Sequence, residues 1–209
     1  MKKYFFLTTI LLVAFFVSAG QSYDLQKLLK EKKLDTFGAT VTPISEKQGV
    51  SSDGIAWLKG VTFSTGSIDV DLRGKDVLQR SFIGIAFHGI DTGTYDAIYF
   101  RPFNFNSPDP IRKIHAVQYI SQPVHTWHKL REEKNGIYEK AVTPAPAASD
   151  WFHARIVVEG TTISVYVNNS STPSLVVEKL NDRKSGLIGI WTDSGPSLPG
   201  DFANLVIKK

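Results

Sequence analysis

The segment YDAIYFRPFNF, residues 95–105, combines side chains that could hold a hydroxyl-rich ligand. It brings five aromatic rings, one aspartate and Arg101 together within eleven residues. Aromatic rings offer flat apolar surface, and the arginine guanidinium is a rigid fork of donors that can hold a hydroxyl pair or a carboxylate. The composition of this segment therefore suggests binding chemistry in addition to packing.

Strand geometry sorts these side chains onto two faces, because successive residues of a β-strand point to opposite sides. Ile98 and Phe100 share one face, which we expect to enter the core. Tyr99 and Arg101 share the other face. We expect that face to be open, since a strand buried on both sides would be continuously aliphatic.

The same alternation on other strands leaves further polar and aromatic residues for the open face. Trp191, for example, lies opposite Ile188 and Ile190 in the period of its strand. We predict a ligand site on a concave sheet, closed over from a long loop by Trp127 and Arg131. Its sheet residues are His88, Tyr99, Arg101, Gln118 and Trp191.

Arg101 has a second interpretation that the sequence leaves open. Its guanidinium could pair with an acid on the sheet, such as Asp96 or Asp71. In that case it would stabilise the fold without touching a ligand.

Period-two alternation dominates the chain from residue 37 onward, and helical periodicity is scarce. Strands separated by turn signals, with no helix pattern between them, predict an all-β fold: a two-sheet antiparallel β-sandwich of the jelly-roll type. We expect about five to seven strands in each sheet and almost no helix beyond residues 26–33. Two polar, proline-bearing stretches, 106–113 and 129–150, are predicted to be long loops, where binding residues often lie.

Several stretches resemble the concanavalin A-like lectin/glucanase superfamily, in its laminin-G-like and 3-keto-disaccharide-hydrolase-like branches. The resemblance is carried mainly by the hairpin WFHARIVVEGTTISVYVNN and the terminal strand GDFANLVI. The segments FSTGSIDVDLRG and FIGIAFHG before the hairpin, and GLIGIWTDSG after it, also take part. It covers residues 37–209. It implies a jelly roll with a convex and a concave sheet, and sugars bound on the concave face or its rim loops.

The resemblance implies a carbohydrate partner, and we favour a non-catalytic carbohydrate-binding domain. The alternatives are a glycoside-processing hydrolase of the 3-keto-disaccharide-hydrolase-like type and an adhesion or scaffold domain. The family-16 branch carries its acids in an E-x-D-x-E strand, whereas IDVDL has Asp69 and Asp71 without flanking glutamates. Glycosidases need paired carboxylates, and nothing in the spacing of Glu132, Glu133 and Glu139 in the second long loop pairs them. The ionisable side chains in and around this loop nevertheless keep catalysis open.

Metal binding has little support in the sequence. His125 and His128 flank Trp127 with H-x-x-H spacing, but they lack the acid and the helical context of the metalloprotease motif. The resemblance leaves calcium as a possible cofactor, with Asp201 as one candidate donor. Calcium needs about six to eight oxygen ligands, and no aspartate-rich loop supplies them, so no cofactor is certain.

Chain length, cysteine content and charge limit the remaining classes of fold and function. The 209 residues suffice for one sizeable core, and the absence of cysteine means that no disulfide supports it. The formal charge is only +4 and the basic residues are scattered, which gives nucleic-acid binding no support.

The first residues have the order of a secretory signal peptide. Lys2 and Lys3 precede an apolar run over residues 4–17, and small residues follow. The run is shorter than the roughly 20 residues that span a bilayer, so we expect cleavage and no membrane attachment afterwards. We divide the chain into a signal peptide (1–19), an N-terminal lead-in (20–36) and a β-sandwich domain (37–209), and we expect a secreted or periplasmic protein.

We predict cleavage after Ala19, because Val17 and Ala19 suit the −3 and −1 positions of a signal-peptidase site. The exported protein should then begin at or near Gly20. N-terminal sequencing of exported material checks this, and a mature chain that still starts at Met1 would contradict it.

Overall fold

The computed structural model describes residues 20–209, so the predicted signal peptide lies outside the described residues. Antiparallel strands form two sheets, which confirms the predicted all-β sandwich. The strands in chain order are β1 (Gln21–Tyr23), β2 (Leu34–Asp35), β3 (Val41–Pro43), β4 (Val50–Ser52), β5 (Ala56–Phe63), β6 (Gly66–Arg73), β7 (Ile83–Gly89), β8 (Asp96–Phe100), β9 (Val117–Ser121), β10 (Glu139–Lys140), β11 (Phe152–Glu159), β12 (Thr162–Val167), β13 (Leu175–Glu178), β14 (Gly186–Thr192) and β15 (Gly200–Lys208).

The two sheets differ in size by one strand. The eight-stranded sheet has the order β13-β12-β11-β6-β15-β4-β3, with β1 paired to β15. The seven-stranded sheet has the order β10-β9-β8-β7-β14-β5-β2. The first sheet exceeds the expected five to seven strands because β1, from the predicted lead-in, joins it.

Residues 20–36 belong to the sandwich rather than preceding it. Gln21 pairs with Ile207 in one sheet, and β2 pairs with β5 in the other. Leu25 and Leu34 are buried in the same core as the later strands. Strands β1 and β2 of the predicted lead-in thus pair with strands of the β-sandwich.

The core lies between the sheets and is filled as the alternation predicts. Ile98 and Phe100 of β8 are fully buried, and the Phe100 ring lies 5.0 Å, edge to face, from Phe152 of the eight-stranded sheet. Ile156 of β11 is fully buried as well. Since each such side chain contributes about 1.5–3 kcal/mol on burial, apolar packing can hold the sandwich together without disulfides.

Three short α-helices accompany the strands, and two of them lie beyond residues 26–33, where the sequence predicts almost no further helix. Both additional helices begin at a cap: the Asp109 side chain accepts the N–H of Ile111, and the Thr126 hydroxyl accepts that of Lys129. They are too short to show helical periodicity in the sequence, which is why their segments resemble loops. The helices are α1 (Leu25–Lys30), α2 (Pro110–Lys113) and α3 (Trp127–Glu133).

The eight-stranded sheet carries a charged cluster on its outer face. The two ring nitrogens of His153, on β11, lie 3.3 Å from Asp69 and 2.9 Å from Asp71, both on the neighbouring β6. These hydrogen bonds to Asp69 and Asp71 raise the pKa of His153 to about 9. Burial opposes ionisation of Asp71, but hydrogen bonds from His153 and Lys47 lower its pKa to about 2.

We expect the fold to lose stability in mild alkali, because His153 loses its proton there and with it its stabilising effect. Its pKa is higher in the folded than in the unfolded chain, so its stabilisation is complete below about pH 6.5 and is lost as the pH rises through about 9. Urea denaturation of wild type should therefore show the free energy of unfolding falling across this window, and His153→Gln should flatten the fall. His128→Gln, at an exposed position on α3, should keep the wild-type slope. Equal slopes in wild type and His153→Gln would contradict the assignment.

Candidate functional site

A cavity of about 750 Å³ opens on the outer face of the seven-stranded sheet, away from the core. This volume lies in the range of small-molecule sites. Residues of β8, β9 and β14 line its floor, while α3 and the segments that follow β6, β8 and β14 form its rim. The cavity is therefore built on rigid strands and bordered by connecting segments.

A row of residues in register across four strands supports the floor, and two of them, Tyr99 and Trp191, line the cavity. Gln118 of β9 lies opposite Tyr99 of β8, and Tyr99 lies opposite Gly84 of β7. Gly84 in turn lies opposite Trp191 of β14. The Tyr99 and Trp191 rings meet across Gly84 with 5.0 Å between their centroids. A Cβ at Gly84 would lie 2.0 Å from the carbonyl oxygen of Ile98, so only glycine fits at the centre of this row.

Further rings extend the floor into an aromatic wall. The Trp191 indole N–H donates to the Tyr95 hydroxyl at 3.1 Å. On the other side, Phe82 packs edge-on against Tyr99 and against Phe103, with centroid separations of 6.1 and 5.7 Å. A ligand in the cavity would meet a continuous aromatic surface of the kind that packs against apolar ring faces.

Arg101 borders this wall, but its guanidinium is almost fully occupied by the protein. The residue is only 5% exposed. Its two terminal nitrogens make four hydrogen bonds, which use four of the five N–H groups of an arginine. The acceptors are the His115 carbonyl, the Glu139 carboxylate, the Tyr99 hydroxyl and the Gln118 side-chain oxygen.

The acid that pairs with Arg101 is Glu139, and not either of the acids expected from the sequence. Asp96 instead accepts from Tyr119 and Arg183, and Asp71 lies on the other sheet. The structural interpretation of Arg101 therefore describes its contacts better than the interpretation that its donors face a ligand.

Glu139, on β10, holds the two arginines of the site together. Its carboxylate accepts two hydrogen bonds from Arg131, at 3.0 and 2.8 Å, and lies 3.4 Å from Arg101. The residue is 2% exposed, and burial opposes its ionisation. The hydrogen bonds and charge of Arg131 outweigh burial and lower the pKa of Glu139 below its ordinary value. Glu139 is therefore an ionised structural partner at neutral pH.

His115 adjoins this cluster as a neutral group. Its Nδ1 lies 2.9 Å from the Glu139 carboxylate but outside hydrogen-bond geometry. Burial, followed by the charges of Arg131 and Arg101, lowers the pKa of His115, and the opposing effect of Glu139 is smaller than their sum. The imidazole is therefore uncharged near pH 7, so it can line the cavity without adding a third positive charge to the cluster.

Helix α3 supplies the exposed part of the rim. Trp127, its first residue, is 44% exposed, and the Arg131 guanidinium lies 5.3 Å from the centroid of the indole. The Gln118 side-chain amide donates to the Trp127 carbonyl at 3.4 Å, which ties the helix to the sheet. Within residues 20–209, Nη1 of Arg131 has no hydrogen-bond partner, so this arginine still has donors to offer.

His88, which the sequence analysis places in the site, does not line the cavity. It is fully buried, with its ring nitrogens 3.1 Å from Asp96 and 2.7 Å from the Ser64 carbonyl, and it stacks on Phe63. The pairing of β7 with β14 shifts register beside it, and the φ angle of His88 is +49°. This β-bulge interrupts the alternation on which the prediction for His88 depends.

The other six predicted residues form one connected cluster. Tyr99, Arg101 and Gln118 are almost fully buried and support the site, whereas Trp127 and Arg131 are accessible at its rim. Phe103 belongs to the segment that first suggested binding, but alternation could not place it because it follows the strand. The residues that line the cavity and were not predicted include Phe82, Tyr95, Phe103, His115, Arg112 and Asp193.

The residues considered for metal binding have other partners. His128 lies 3.3 Å from Glu132 on the surface of α3, and Asp201 pairs with Arg73 at 2.9 Å. His125 pairs with Ser121 through an isolated backbone bridge. In the described part of the chain, no group of three or more histidine, aspartate or glutamate side chains is arranged to hold a metal ion.

Comparison with solved structures identifies the fold. The carbohydrate binding module CBM66 from Bacillus subtilis is 16% identical, with 83% of this chain and 93% of that one aligned and a TM-score of 0.58. A candidate glycosyl hydrolase from Parabacteroides distasonis is 14% identical, with 81% and 90% aligned and a TM-score of 0.53. The VIP36 exoplasmic/lumenal domain, solved with Ca²⁺ and Man3GlcNAc, is 11% identical, with 85% and 83% aligned and a TM-score of 0.52.

Sequence comparison adds nothing to this likeness: no family model matches the chain, and no curated protein matches it. Identities this low establish the fold alone. The architecture of two antiparallel sheets agrees with all three structures. The chain therefore has the two-sheet antiparallel jelly-roll fold that its strand pattern predicts.

Proposed function

We propose that this protein binds a glycan in the cavity on the outer face of the seven-stranded sheet. The observation that carries the proposal is the pairing of an aromatic wall with an accessible aromatic rim: Trp191 and Phe82 line the wall, and Trp127 stands exposed on α3. Sugar rings pack their apolar faces on such surfaces while their hydroxyl groups need polar partners. Arg131 and Asp193 supply a donor and an acceptor at the same cavity.

Binding fits the rigidity of the site. The buried hydrogen bonds among Tyr99, Gln118 and Arg101 fix the floor, and Glu139 and Arg131 connect it to α3. A preformed site loses little conformational entropy when a ligand enters. The carbohydrate-binding module and the sugar-bound lectin domain that share the fold support the same proposal.

The hydrolase alternative lacks a comparable observation. A glycosidase needs two carboxylates flanking the bond that breaks, about 5–9.5 Å apart. Among residues 20–209, Asp193 is the one carboxylate that lines the cavity. Glu139 lies behind the wall with its oxygens bonded to arginines, where a lowered pKa makes it a poor general acid. A binding function is therefore the one that the geometry supports best.

We also propose that the protein works outside the cytoplasm. The support is the signal-peptide order of residues 1–19. Within residues 20–209, no helix has both the length and the apolar character to cross a bilayer. The proposed partner is thus an extracellular or periplasmic glycan.

Trp127→Ala should weaken glycan binding without unfolding the protein. Trp127 contributes an exposed ring to the rim, so its loss should reduce affinity about tenfold or more, equivalent to ~1.4 kcal/mol. A glycan array of neutral and acidic oligosaccharides would identify bound glycans, and calorimetry would measure the change. Tyr166→Ala, on the eight-stranded sheet, is the matched control and should bind like wild type. Wild type that binds no glycan, or equal affinities for both variants, would refute the proposal.

Glu139→Gln should destabilise the protein, because it leaves the buried Arg101 close to the partly exposed Arg131 without their shared carboxylate. Removing one partner of a buried ion pair costs about 3–5 kcal/mol, and urea denaturation at neutral pH measures the loss. Glu132→Gln removes an equivalent charge at an exposed position on α3, and it should change the free energy of unfolding by less than about 0.5 kcal/mol. Similar effects of the two substitutions would show that Glu139 does not hold the cluster.

A further inference from the structure

A second cavity adjoins the proposed glycan site. It has a volume of about 310 Å³ and is formed mainly by the loop of residues 36–40 and by Asp53 and Gly54. Ile55 and Thr92 line both cavities. The two cavities therefore meet along a common edge, and a ligand that fills the first can continue into the second.

Phe37 gives the second cavity an exposed aromatic ring. The residue is 69% exposed, the highest value among the large apolar residues of the described chain. Its φ angle is +46°, a left-handed conformation that costs a residue with a side chain about 1–3 kcal/mol. The chain thus places a large apolar ring in water at a strained position, and core packing does not explain that choice.

The loop that carries Phe37 is held in place by hydrogen bonds on both sides. The Ala39 N–H donates to the Thr36 carbonyl at 2.8 Å. The Thr40 N–H donates to the Asp53 carboxylate at 2.6 Å, and the Asp53 N–H donates back to the Thr40 carbonyl at 3.3 Å. Phe37 is therefore exposed on a loop of defined conformation beside the second cavity.

The lining of the second cavity differs in charge from that of the first. Besides Phe37, the lining includes three threonines and one acidic residue: Thr36, Thr40, Thr92 and Asp53. Among the described residues, no lysine, arginine or histidine lines this cavity, whereas Arg101, Arg112 and Arg131 line the first. Hydroxyl groups and an acceptor beside an aromatic ring suit the hydroxyl-bearing part of a sugar.

We propose that the two cavities form one extended groove that binds a glycan chain of several sugar units, with Phe37 as the platform for the units farthest from Trp127. This inference rests on the proposed function and goes beyond it, because it assigns recognition to a stretch of chain rather than to one terminal sugar. A terminal sugar would occupy the first cavity alone and would leave the Phe37 ring without a role.

Length series of oligosaccharides test the groove. Calorimetric titrations would use cello-, xylo-, manno- and galacturono-oligosaccharides of one to six units. For a series that binds, the affinity of wild type should rise beyond the disaccharide. Phe37→Ala should weaken the hexasaccharide about two- to tenfold, as expected for one aromatic contact, and leave the disaccharide unchanged. Phe37→Tyr, which keeps the ring, should retain the wild-type length dependence.

The outcomes separate this inference from the proposed function. Trp127→Ala should weaken short and long oligosaccharides alike, because it acts at the first cavity. If wild type binds mono- and disaccharides as tightly as the hexasaccharide, or if Phe37→Ala behaves like wild type with every length, the extended groove is wrong and the glycan site stands. If no series binds wild type, both proposals fall. Unchanged melting temperatures for the Phe37 variants would assign any loss of affinity to the ring itself.

Discussion

The burial of Arg101 is the constraint on which the architecture of the site depends. A guanidinium that is 5% exposed must have its charge balanced and its N–H groups bonded, since an unpaired buried charge costs several kcal/mol. Glu139 meets the first requirement only because β10 returns to pair with β9, which sets Glu139 opposite Gln118. Tyr99 and Gln118 meet the second. One buried cation thus requires a particular path for the long segment between β9 and β11.

This network also determines which groups remain for a ligand. Arg101 lines the cavity yet has almost no donor left. Arg131 shares the same carboxylate and keeps a terminal nitrogen that has no hydrogen-bond partner among residues 20–209. Trp127 stands beside it because α3 is tied to the sheet through Gln118. The interior residues therefore make the site rigid. Trp127 and Arg131, about one turn apart on α3, remain accessible to contact a ligand. The Phe37 loop extends this principle, because its backbone is bonded on both sides while its ring faces water.

Two expectations about the outer face of the seven-stranded sheet differ from the structure in part. The expectation of an open face rested on the absence of a continuous aliphatic run in β8, yet every residue of that strand is buried. Aromatic rings and a satisfied arginine cover a sheet as effectively as aliphatic side chains do, but a periodicity argument does not count them as core. His88 was misplaced because a bulge in β7 changes the face of one residue. A bulge depends on the neighbouring strand, and alternation within one strand does not reveal it.

The sequence by itself determined the fold class and the inward face of several long strands. Period-two alternation in segments such as IDVDL and AIYF depends only on neighbouring residues, so Val70, Ile98 and Phe100 could be assigned to the core without knowledge of their partners. It also indicated that Tyr99, Arg101, Gln118 and Trp191 share a face. Only the tertiary structure decided that Glu139, 38 residues after Arg101, completes the ion cluster. Likewise, only the tertiary structure shows that the cavity beside the Phe37 loop shares an edge with the main cavity. These are contacts between segments far apart in the chain, and the strand order of the two sheets brings them together.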